Sequence, residues 1–129
     1  MNDQVLRVFF VVAGLYDGLL GGAFLLFPGR LFTMFDVTPP NHMGYVQFSA
    51  LLLIIFAAMF FRIATNPVRH RELILYGCAL KVSYCGVVFW YELSAGIPNM
   101  WLPFAWADLA FLLLFAVIWR SLGKRAMER

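Results

Sequence analysis

Three ionisable residues stand inside stretches that are otherwise apolar: Asp17, Lys81 and Asp108. On a biological insertion scale each such charge costs roughly 2.5 to 3.5 kcal/mol at the centre of a membrane-spanning helix, so none is expected to face lipid. The cheapest arrangement turns all three inward to neutralise one another. One ammonium and two carboxylates leave one acid in excess. That acid must be protonated, be bonded by Tyr84 or Gln47, or remain open to a cationic or hydrogen-bonding ligand. A layer of this kind can bind a proton or a small substrate. Equally, Lys81 bridging the two acids would do no more than fix helix register, as buried polar groups do in other proteins.

The elements that hold these residues follow from composition. Of 129 residues 63% are hydrophobic and 13% charged, and the mean hydropathy of +0.80 is too high for a soluble domain of this size. A helix of about 20 apolar residues crosses the roughly 30 Å hydrocarbon core. Four stretches qualify, at about 5–27, 43–62, 72–91 and 101–120, so the expected fold is all-α: one four-transmembrane-helix bundle filling residues 1–129. Measured from one set of helix ends, the three charges lie about 13 to 18 Å deep and share a layer.

The net charge of +3 does not indicate nucleic acid, because the basic residues sit at span ends and form no continuous face. They report orientation instead. Arg7, Arg62, Arg69, Arg71, Arg120, Lys124, Arg125 and Arg129 fall on one side and Arg30 alone on the other, which makes both termini cytoplasmic. The first span carries Asp17 and is not preceded by a basic cluster or followed by an Ala-x-Ala site. It is expected to be retained, with the chain starting at Met1.

In span one Gly14, Gly18 and Gly22 recur every fourth residue, a ridge for helix packing within the chain or in a homo-oligomer. Asp17 lies beside it, flanked by Gly21, Phe10 and Phe24. Pro28-Gly29 ends the span. In the connection 28–42, Leu31, Phe32 and Phe35 are spaced for a short interfacial helix, and Pro39-Pro40-Asn41 offers an N-cap to span two. Gln47 shares a face with Ala50, Leu51 and Ile54, where an interhelical bond is commoner than a ligand contact.

Asn66-Pro67 marks a turn and the next helix start, and His70 between two arginines reads as solvated. Span three aligns Ile74, Gly77, Cys78, Lys81, Tyr84, Cys85, Val88 and Glu92 on one stripe. Its two cysteines are seven residues apart, about 10 Å along a helix, and so are expected to remain thiols. No CxxC, zinc framework or cofactor motif accompanies them. Span four carries Trp101, Phe104, Phe111, Phe115 and Trp119 around Asp108, a wall for packing with tryptophan anchors at its ends; Trp90 and Tyr91 suit the same outer belt.

Arg7 near the start of span one, the glycine-rich helix after it, Pro28-Gly29 and the four-span plan with inside termini make the whole chain resemble the DoxX-like group of small bacterial membrane proteins. The resemblance implies a bacterial cytoplasmic (inner) membrane and, for some members, a link to quinone-related or redox membrane complexes. It transfers no site residue. Three function classes stand: a small oligomeric transporter or proton- or ligand-binding protein built on the charged layer; a non-catalytic accessory or assembly subunit of a larger membrane complex; and, last, a binder of a lipophilic ligand or an intramembrane enzyme, for which no nucleophile, metal or phosphate motif exists.

Overall fold

The computed structural model describes residues 2–128; Met1, the expected start, and Arg129, one of the basic residues counted above, lie outside them. Among the described residues the structure is helical, without strands. Helix α1 spans Asp3–Leu26, the short α2 Pro28–Met34, α3 Gly44–Thr65, α4 Arg71–Ser94 and α5 Leu102–Met127, with a 3₁₀ turn at Asn99–Trp101 leading into α5. Four of these are long and apolar enough to cross a membrane. They run past the apolar spans at several ends: α5 continues seven residues beyond position 120, carrying its basic tail as helix.

Two compact units make up the chain, Met1–Thr65 and Asn66–Arg129. In the first, α1 starts on Asn2, whose side chain accepts from the Gln4 amide at 2.7 Å, and Asp3 adds a favourable charge in the first turn. Pro28 ends it. The proline ring disfavours the helical region for the preceding residue, and Phe27 sits at φ −131° and ψ 45°. Pro28 is then the first residue of α2, where its missing N–H is harmless, and Gly29 is helical. Phe32 of α2 is buried against Phe24, their ring centroids 6.5 Å apart, whereas Phe35 is exposed.

α2 closes with Asp36 at φ +54°, the Val37 amide donating to the Phe32 carbonyl and the Phe35 amide to that of Leu31. This is a left-handed helix end occupied by aspartate where glycine is the usual residue. Asp36→Gly is therefore expected to raise thermal stability in detergent by up to about 1 kcal/mol; a lower melting temperature would show that the aspartate side chain matters more than its backbone. The α3 entry is capped by His42, whose Nδ1 accepts from the Gly44 amide at 2.9 Å, rather than by the expected Asn41.

α1 and α3 pack antiparallel along a seam of small residues. A methyl group built on Gly14 would meet the Phe61 ring, one on Gly18 would touch Ala57, and one on Gly21 would stand 2.7 Å from the Ala50 carbonyl oxygen. Across the seam Ala50, Ala57 and Ala64 are all buried, spaced by seven like Gly14 and Gly21. Gly22 has no heavy atom within 4 Å of such a methyl. Steps of four advance about 40° beyond a full turn, so Gly22 has rotated about 80° from Gly14, while Gly21 lies within about 20° of it.

In the second unit the turn at Asn66-Pro67 is held by Asn66, whose side-chain oxygen accepts from the Arg69 amide and whose carbonyl accepts from that of His70. The helix itself begins later, at Arg71. α4 and α5 are antiparallel, and their inward faces bring together the polar residues described next.

Candidate functional site: a buried lysine–aspartate pair

Lys81 occupies the middle of α4 and the middle of its buried face. Ile74, Gly77, Cys85 and Val88, the other buried residues of this helix, all lie within about 40° of it on the helical wheel. Its side chain is 1% exposed, and Nζ stands 3.0 Å from Oδ1 of Asp108 on α5, itself 10% exposed. The ammonium also lies 5.3 Å from the centre of the Phe111 ring, whose negative face attracts it. Phe111 in turn packs on the fully buried Phe115 at 5.9 Å. Of the aromatic stripe expected around Asp108, Phe111 thus meets the pair, with Phe115 packed behind it.

Two further groups tie α4 to the start of α5 above this pair. The Tyr84 hydroxyl donates to the Trp101 carbonyl at 3.0 Å, and the buried Cys85 thiol donates to the Ala105 carbonyl at 3.4 Å. Cys78 and Cys85 are both free thiols. Tyr84 therefore places its hydroxyl on backbone at the neighbouring helix entry, one turn from Lys81.

At the other end of the hairpin Arg71 makes a clamp that hydropathy and spacing do not predict. Its Nε donates to the Trp119 carbonyl at 2.8 Å, and its guanidinium lies 4.1 Å over the Trp119 ring. Gly123, one turn on, leaves room for it: a methyl there would come within 2.8 Å of the guanidinium carbon. By position alone Arg71 is an orientation charge and Trp119 an interface anchor. The legible signal was the aromatic followed by glycine four residues later on the same face, a flat seat with space beside it.

No protein-family model, curated protein or solved structure matches this chain. The geometry alone carries the functional argument.

In the first unit Asp17 is 1% exposed. The buried residues of α1, which are Leu6, Phe10, Ala13, Gly14, Asp17, Gly21 and Phe24, fan out about equally to either side of it on the wheel. Gln47 uses its amide within this unit: Nε2 donates to the Leu25 carbonyl at 3.4 Å. That carbonyl belongs to the last turn of α1, where the chain supplies no intrahelical partner. The interhelical role expected of Gln47 is thus filled by a helix end.

A lysine and an aspartate held in contact in a dry setting can exist as ammonium and carboxylate or, after transfer of one proton along the contact, as amine and acid. Any proton or cation reaching Asp108 competes with Lys81 for the same oxygen.

Proposed function

We propose that this is a multi-pass protein of the bacterial cytoplasmic membrane, with its N- and C-terminal ends inside, in which the Lys81–Asp108 pair forms a proton- or small-ligand-binding site of a small oligomeric transporter or ligand-responsive membrane protein. The observation that carries this reading is the ion pair itself: two charged groups, one in the middle of α4 and one about two turns into α5, 3.0 Å apart and nearly closed to solvent. Ionisable groups at such depth are costly, and function is the usual reason they persist. The outward faces suit lipid, with Leu19, Ile55, Val82 and Leu113 all more than half exposed.

In operation, a proton or cationic group arriving at Asp108 takes over the oxygen that Lys81 holds and frees the ammonium, which stays over the Phe111 ring. The two occupancies give the hairpin two charge states, the minimum needed for coupled uptake and release. Purified protein reconstituted in liposomes with an internal pH indicator is expected to give a proton- or substrate-dependent signal, and Asp108→Asn to reduce it at least tenfold. An unchanged signal in that variant would remove the pair from the transport step.

A second reading, the accessory or assembly subunit, is favoured by the face of α4 opposite Lys81. There Ala79, Ser83 and Gly86 are exposed, and a methyl group on Gly86 would meet nothing within 4 Å, a surface on which another helix could approach closely. A silent liposome assay together with a partner that stays bound through purification from native membranes would favour this reading over the first.

A further inference from the structure

The outer face of α5 changes character along a single line. Trp106, Leu113 and Val117 are 61%, 60% and 56% exposed. Continuing along the same line, Arg120 and Lys124 are exposed as well. On a helical wheel all five fall within a band about 60° wide, so an apolar stripe runs directly into two cations one turn apart. The two cations sit where Arg71 grips Trp119, so this end of the helix is held in place. Arg125 adds a third positive charge nearby and Glu128 a single negative one, which leaves the helix end net positive.

We infer that this stripe seats an anionic phospholipid, with its phosphate between Arg120 and Lys124 and an acyl chain along Val117 and Leu113 toward Trp106. The inference rests on the membrane placement proposed above. The dimensions agree. From Arg120 to Leu113 is about 10 Å of helix and to Trp106 about 21 Å, which brackets one leaflet of a roughly 30 Å hydrocarbon core. Cations this close to a surface favour anionic over zwitterionic lipid by about five-fold each, and two on the same line add their effects. The commitment is to a lipid rather than a free anion, because the apolar half of the stripe contributes nothing to inorganic phosphate.

Native mass spectrometry of the purified chain, released from mixed micelles of phosphatidylglycerol and phosphatidylcholine, tests this directly. The expected result is preferential retention of phosphatidylglycerol, reduced roughly 25-fold in Arg120→Gln/Lys124→Gln, retained in Arg120→Lys/Lys124→Arg, and unaffected by Arg30→Gln, which lies outside the stripe. Inorganic phosphate at equal concentration should fail to displace the lipid. Equal retention of both lipids, loss of preference in the charge-conserving variant, or displacement by phosphate would each overturn the inference. Alkaline extraction of membranes separates this from the reading beneath it: a chain that is extracted refutes the membrane placement, while one that resists extraction yet shows no lipid preference refutes only the lipid seat.

Discussion

Replacing Lys81 by methionine is expected to lower the unfolding free energy in bicelles by roughly 3 to 5 kcal/mol, the usual cost of removing one partner of a buried ion pair. Methionine fills much of the same volume, so the loss is electrostatic in origin: Asp108 keeps its buried position and loses the cation 3.0 Å away. Adding Asp108→Leu should then regain at least half of the loss, because a buried pair replaced by apolar side chains is often neutral in stability. A double variant no more stable than Lys81→Met would mean that the lysine acts through packing on Phe111 and not through the carboxylate. The expectation from sequence that Asp17 shares in this neutralisation is read from a third change. Further recovery on adding Asp17→Asn supports it, and no recovery sinks it.

The second large effect concerns glycines. Gly21→Ala is expected to destabilise the first unit by about 1 to 3 kcal/mol, since the new methyl would stand 2.7 Å from the Ala50 carbonyl oxygen, and backbone cannot swing aside as a side-chain tip can. Gly22→Ala, one residue on, meets nothing within 4 Å and should be neutral or stabilise by up to about 1 kcal/mol through helix propensity. Unfolding of both variants side by side, followed by circular dichroism in increasing denaturing detergent, checks the contrast. Equal effects would show that the α1–α3 seam does not run where the structure puts it. If Gly22→Ala alone were harmful in the purified protein, its open face would be the one that meets another chain.

The difference between these neighbours shows where reading the sequence stops. A repeat of four was visible in Gly14, Gly18 and Gly22, but a helix turns every 3.6 residues, and the line that stays on one face alternates steps of three and four. Gly14, Gly18 and Gly21 follow that line closely enough to meet α3, and Ala50, Ala57 and Ala64 on the facing helix complete the seam. Reading one helix at a time could not show this, because the requirement for small residues is set jointly by both.

The sequence by itself determined the helical class, the four apolar stretches long enough to span a bilayer, the break at Pro28 and the inward direction of Asp17, Lys81 and Asp108. All of these follow from local quantities, namely hydropathy, helical period and the cost of placing a charge in oil. Lys81 was expected to meet an acid, and tertiary structure alone decided the other contacts: Lys81 with the Phe111 ring, Tyr84 with the Trp101 carbonyl, Gln47 with the end of α1, and Arg71 with Trp119 and Gly123. Partner choice depends on the register between helices far apart in the chain. A slip of one residue turns a side chain by about 100°, and that register is set by how the two surfaces fit together.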